Sequence, residues 1–187
     1  MFARTTRLLL RPGFTEDAPA LAAALADRGI VRHLAGAPWP YRMRDATAYL
    51  AAPRDPILPA LLIFERTGGP LLLVGACGLG RRPSGAVEVG YWVALDHWGR
   101  GIATEACTAL IDIARTLGIK RLEGAHFTDN RASGRVLEKL GFTATGLIAP
   151  RFSCARGQEA PARLMRLDLA VFANSYEEQA SRAPLAA

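Results

Sequence analysis

The sequence predicts an α+β (mixed α/β) domain in which a central, mostly antiparallel twisted sheet is flanked by helices. Three observations lead there. Apolar runs of strand length at residues 60–66, 71–79 and 86–94 are separated by the turn signals Thr67-Gly68-Gly69-Pro70 and Pro83-Ser84-Gly85, giving an antiparallel meander. The third run leads through a turn containing Gly99 and Gly101 straight into a helical pattern at 101–117. That helix aligns Ala103, Ala106, Cys107, Leu110, Ile111 and Ala114 on one face, and a further strand at 121–127 completes a strand–helix–strand crossover.

The other elements follow in order. Residues 6–11 form a short opening strand closed by Pro12. A helix over 15–27 takes Thr15 as its cap, with Glu16 and Asp17 in its first turn. A shorter helix spans 43–52 and stops before Pro53. Between them residues 28–42, rich in Gly, Pro and aromatics, make a loop suited to a substrate. After the crossover, a helix at 131–140 ends at Gly141. Strands at 142–148 and 163–170, joined by a polar loop 149–162, close the sheet. One domain over 1–173 and a loosely packed tail over 174–187 are expected, with neither repeat nor linker.

Composition excludes several function classes. No apolar run approaches the roughly 20 residues of a membrane span, and charges interrupt the N-terminal apolar stretch too early for a signal peptide, so the chain reads as cytoplasmic. The net charge of +6 comes from dispersed arginines, with Lys120 and Lys139 the only lysines, and no recognition motif accompanies it. No nucleic-acid partner is expected, whereas an anionic ligand is favoured. Cys77, Cys107 and Cys154 form no metal-ligand spacing with His33, His97 and His126, so no metal is expected.

The chemistry concentrates at Tyr91-Trp92-Val93-Ala94-Leu95-Asp96-His97-Trp98-Gly99-Arg100-Gly101-Ile102-Ala103-Thr104. Glycines at 99 and 101 bare the backbone, and the helix that follows offers unpaired N–H groups and a partial positive charge. That combination cradles a pyrophosphate. A dinucleotide oxidoreductase would need a third glycine and a βαβ unit, where the chain has a meander.

Two blocks carry a family resemblance. Trp98-Gly99-Arg100-Gly101-Ile102-Ala103 is similar to the Gln/Arg-x-x-Gly-x-Gly/Ala signature of the GNAT superfamily of acetyl-CoA-dependent N-acetyltransferases, departing from it at Trp98. Asn130-Arg131-Ala132-Ser133-Gly134-Arg135-Val136-Leu137-Glu138-Lys139-Leu140-Gly141-Phe142 resembles the later Asn-x-x-Ser…Glu-Lys-x-Gly-Phe block. The opening Thr6-Arg7-Leu8-Leu9-Leu10-Arg11-Pro12 and Glu88-Val89-Gly90-Tyr91-Trp92-Val93 resemble the branch of ribosomal-protein N-terminal acetyltransferases, RimJ/RimL-like.

The resemblance implies acetyl-CoA as cosubstrate and direct attack by a primary amine, on a peptide N-terminus or a small molecule, in a ternary complex. Gly99, Arg100, Gly101, Ile102, Ala103 and Thr104 would hold the pyrophosphate through backbone amides. Tyr91, Trp92 and Val93 would pair with the pantetheine arm like an added strand, with the Val93 N–H donating to the thioester oxygen. Asn130 would bind the same arm or simply cap the helix. Ser133 would protonate the leaving thiolate or stand as an ordinary helix serine. The family's tyrosine is replaced by Leu137.

For the base, Glu88 shares a strand face with Gly90 and Trp92 and either takes the amine proton or pairs with an arginine. His126 is the alternative; Ala125 and Phe152 occupy positions where some relatives carry bases. The acceptor would lie between loops 28–42 and 149–162, near Arg32, Arg42, Arg151, Arg156, Trp39, Tyr41 and Phe152, which suits a peptide N-terminus or a carboxylate-bearing amine. The chain is expected to be a monomer or homodimer. A non-catalytic acyl-CoA-binding regulatory module is the alternative reading.

Overall fold

The computed structural model describes residues 1–169; the expected tail and the last residues of the expected domain lie outside them. Eight strands form one sheet: β1 (Ala3–Arg4), β2 (Leu8–Arg11), β3 (Ala60–Glu65), β4 (Leu72–Arg81), β5 (Val87–Val93), β6 (Arg121–Phe127), β7 (Thr143–Ser153) and β8 (Gln158–Asp168). Their order is β1-β2-β3-β4-β5-β6-β8-β7. Every pairing is antiparallel except β5 with β6, whose register is confined to Glu88↔Glu123. The expected architecture holds.

Strand alternation divides the core between two sheet faces. Leu8, Leu10, Leu61, Ile63, Val74, Val87, Val89 and Val93 meet Ile102, Ala106, Leu110 and Ala114 of α4 (Ile102–Thr116) and Leu137 of α5 (Arg131–Lys139). On the opposite face Leu62, Phe64, Leu73 and Ala76 pack on α1 (Ala18–Ala24), α2 (Arg28–Val31) and α3 (Met43–Ala51). The apolar face anticipated for residues 101–117 is the buried stripe of α4.

Three expectations need correction. The helix predicted over 15–27 is broken into a 3₁₀ turn at Thr15–Asp17 and α1. Its cap is not Thr15: the Asp17 carboxylate accepts the Phe14 N–H at 2.8 Å and binds Arg11 through both oxygens. The loop at 28–42 contains α2, because the Asp27 carboxylate caps it through the Gly29 N–H. The polar loop predicted at 149–162 is mostly strand. β7 and β8 continue to a short turn at residues 154–157, since cross-strand pairing outweighs the weak strand propensity of Pro150, Pro161 and their polar neighbours.

Candidate functional site

The single register pair between β5 and β6 means that the strands part beyond Glu88. Ala94 donates its N–H to Val74 of β4, so alternation turns the Trp92 and Gly90 amides toward β4 and the Tyr91 and Val93 amides toward the parting. A cavity of about 800 Å³ occupies it. Its walls are the β5 residues Glu88–Val93, the turn into α4 at Trp98, Gly99 and residues 101–104, and the start of α5 at residues 130–133. Tyr91, Trp92, Val93, Asn130 and Ser133 therefore line one cavity with the glycine turn, although the two motifs are some 30 residues apart in sequence.

Gly99 and Gly101 have φ of 72° and 77°, the left-handed region where a Cβ is strained. A Cβ at Gly99 would meet nothing within 4 Å, and one at Gly101 only Arg7 Nη2 at 3.8 Å. The turn is thus open on its cavity side, with room for a bulky anion against the first amides of α4. Trp98, the departure from the signature, donates its indole N–H to the Val93 carbonyl at 2.7 Å and fastens the end of β5 to the turn.

Arg100 does not line the cavity. Its guanidinium is drawn back to the buried Glu65 of β3 at 2.6 Å and to His97 at 2.7 Å, leaving only its main chain to the turn. Arg7 donates to the Arg100 carbonyl at 3.0 Å and pairs with Glu105 in the first turn of α4. Burial raises the Glu105 carboxyl, but hydrogen bonds from Thr5 and Arg7 outweigh it and hold the group below its usual range. An acid there also suits the helix dipole.

Asn130 caps α5 by accepting the Ser133 N–H at 3.1 Å, and its amide NH₂ remains to donate. The Tyr91 hydroxyl lies 2.9 Å from the Ser133 carbonyl and 2.8 Å from Ser133 Oγ. A carbonyl only accepts, so Tyr91 donates to it and accepts from the serine. Burial pushes the Tyr91 phenol well above its ordinary value, so it keeps its proton. Leu137 is buried in the core and presents nothing to the cavity.

A second cavity of about 690 Å³ lies on the other side of β5. Leu21 and Leu25, residues 36–38, Tyr41, Asp45 and Tyr49 form its far walls, and the two cavities share Leu34, Ala35, Glu88, Gly90, Tyr91 and Trp92. Glu88 stands at the junction. Both its oxygens accept from Arg151 at 2.7 Å, and Arg82 approaches at 3.4 Å. His126 borders only the larger cavity, donating Nδ1–H to the Phe127 carbonyl; its Nε2 edge rests on Gly134, where a Cβ would come within 2.9 Å.

Several functional neighbours were not visible in the sequence. Asp129 receives Arg32 at 2.7 Å and Arg156 at 3.0 Å, joining the segment after α2 to the β7–β8 turn. Ser153 Oγ donates to the Leu34 carbonyl and the Cys154 N–H to Ala35, so residues 28–38 form a clamped roof. The Arg156 hydrogen bond holds the Asp129 carboxyl below its usual range, and burial lowers His33 beside it. Within Thr128-Asp129-Asn130, Asp129 reads only as a turn residue. Among the described residues no group of three His, Cys, Asp or Glu could hold a metal, and no helix is long and apolar enough to cross a membrane.

Residues 7–143 match the acetyltransferase (GNAT) domain family. The uncharacterized N-acetyltransferase p20 of Bacillus licheniformis is 35% identical over 79 residues, 41% of this chain and 44% of that protein, so the chain spans less than half of that relative's length. Among solved structures, a GNAT-family acetyltransferase from Bacillus anthracis superposes with a TM-score of 0.76 at 17% identity, covering 90% of this chain and 98% of that one. RimL, a ribosomal α-N-protein acetyltransferase in complex with coenzyme A, gives 0.74 at 21% identity over 90% and 98%.

Proposed function

The chain belongs to the GNAT acetyltransferase family, and on that footing we propose that it is an acetyl-CoA-dependent N-acetyltransferase that modifies a primary amine, a peptide N-terminus or a small molecule. One observation carries the reading: the open glycine turn at the head of α4 and the unpaired β5 amides line one cavity. The residues fit the cosubstrate, since the turn leaves free the space that a Cβ would enter and offers amides to a pyrophosphate. When bound, acetyl-CoA supplies an activated acetyl group on a good leaving thiolate.

The chain's own residues then have distinct tasks. The Tyr91 and Val93 amides pair with the extended arm, and the Val93 N–H is placed to hold the carbonyl oxygen as charge develops on it. Asn130, its Oδ1 spent on the cap, donates through its NH₂. Ser133, held beside the cavity by the Tyr91 hydroxyl, would protonate the departing thiolate by turning its O–H from the Tyr91 oxygen to the sulfur, solvent water returning a proton to the serine oxygen. Glu88, bordering both cavities, accepts the amine proton through water on the lone pairs that Arg151 leaves open. Holding amine and thioester together supplies much of the acceleration.

RimL and the other ribosomal-protein relatives support a peptide N-terminus as acceptor, and a smaller cavity walled by Leu21, Tyr41, Tyr49 and Trp92 accommodates a first residue. The test is thiol release from acetyl-CoA across short peptides, amino acids, polyamines and aminoglycosides, with coenzyme binding measured in parallel. Turnover on one class is expected. Tight binding without turnover on any amine favours the non-catalytic module instead.

A further inference from the structure

We propose that Arg131, Arg135 and Lys139 on α5 form a recognition stripe for the phosphate on the ribose of coenzyme A, so that the protein selects the 3′-phosphorylated coenzyme over its dephosphorylated form. The inference rests on acetyl-CoA being the acyl donor. Four arginine or lysine side chains line the larger cavity: these three and Arg151. Arg151 is neutralised by Glu88. The cations nearest the glycine turn are also committed, Arg100 to Glu65 and Arg7 to Glu105. The turn itself therefore meets a pyrophosphate with neutral N–H donors and the dipole of α4 alone. Arg131, Arg135 and Lys139 have no ion-pair partner among the described residues.

Their arrangement is locally unfavourable without an anion. Spaced four residues apart, they stand one above another over about 12 Å of helix, where like charges repel. Arg131 adds a cation to the first turn of α5, against that helix's dipole. Lys139 is one of only two lysines in the chain. All three side chains line the same cavity as the glycine turn, on the helix whose Ser133 marks the reacting end beside Tyr91. A coenzyme with its thioester there and its pyrophosphate at the turn has its nucleotide end at the rim, within reach of a side chain that pairs with phosphate.

The experiment is calorimetric titration of the full chain with coenzyme A and with 3′-dephospho-coenzyme A, at low and moderate salt. It is repeated with Arg135→Gln, Lys139→Gln and the double variant, whose folding is checked by circular dichroism. The side chains are exposed, so these variants are expected to fold. Coenzyme A is expected to bind about tenfold or more tightly than the dephospho form. The double variant should abolish that preference, flatten the salt dependence for coenzyme A, and leave dephospho-coenzyme A affinity within about twofold. Equal affinity for the two ligands in the parent, or equal weakening of both in the variant, overturns the stripe while leaving the acyl-donor reading intact. Binding of neither ligand overturns that reading, and the stripe with it.

Discussion

The two cavities that meet at β5 are made by different means. The larger one is mostly main chain: a pair of left-handed glycines, the first amides of α4 and a strand edge released by the parting of β5 and β6. The smaller one is walled by side chains from distant segments, Leu21, Leu25, Tyr41, Asp45 and Tyr49 among them. Ion pairs stand where the two meet and around the larger one: Arg151 reaches the shared Glu88, and Arg32 and Arg156 converge on Asp129, which lines the larger cavity. A main-chain site is rigid and serves any member of a family, because its donors are the same whatever side chains surround it. A site walled by side chains is particular to one chain, and the ion pairs at the junction make its connection to the coenzyme cavity respond to charge and pH.

Substitutions can break that contrast. The largest effect is expected at the turn: Gly101→Trp fills the cradle in a residue with φ of 77° and should lower acetyl-CoA affinity at least about 100-fold, read by calorimetry on protein whose circular dichroism is unchanged. Next, Glu88→Gln should cut turnover by roughly 10–100-fold and flatten its pH profile, while coenzyme affinity stays within a few fold. A pH profile identical to the parent's removes Glu88 from the base role and leaves it the partner of Arg151.

Smaller effects should follow from the hydroxyl pair. Ser133→Ala and Tyr91→Phe are each expected to slow turnover several-fold, and the double variant little more than Ser133→Ala alone, because the phenol acts through the serine. Additive losses in a double-mutant cycle would show that the two hydroxyls act separately. The smallest effect concerns the roof. The Asp129 carboxyl lies below its ordinary 3.8, so the folded state binds its proton less readily than the unfolded chain does. Its contribution is present above the ordinary value and is lost as pH falls through the lowered one. His33, lowered from 6.5 by burial, adds a cost when it must take a proton below that value. Protection factors across residues 28–38, referred to the intrinsic amide exchange rate at each pH, should therefore fall in acid, and Asp129→Asn should remove the carboxylate's share of the effect.

This division also explains what the sequence could and could not disclose. The glycine turn, the apolar stripe of α4 and the period-two strands are local patterns, so the architecture and the position of the turn at the head of α4 were legible. Boundaries failed where a contact overrode a pattern: the Asp17 carboxylate capping at Phe14, the Asp27 carboxylate starting α2, and cross-strand pairing carrying β7 past Pro150. The ion pair anticipated as one of two roles for Glu88 is present, but no local pattern could name Arg151 as its partner 63 residues away. Arg100 is expected to offer its backbone amide, and nothing local discloses that its side chain bonds Glu65, a contact visible only once β3 and the turn are adjacent.

The most direct test is amide hydrogen exchange of the full chain with and without acetyl-CoA. The account predicts added protection at residues 99–104 and at Tyr91 and Val93, with little change across β7 and β8. Protection absent from both segments, or confined to the cavity beneath the roof, would contradict the placement of the acyl donor between β5 and α4.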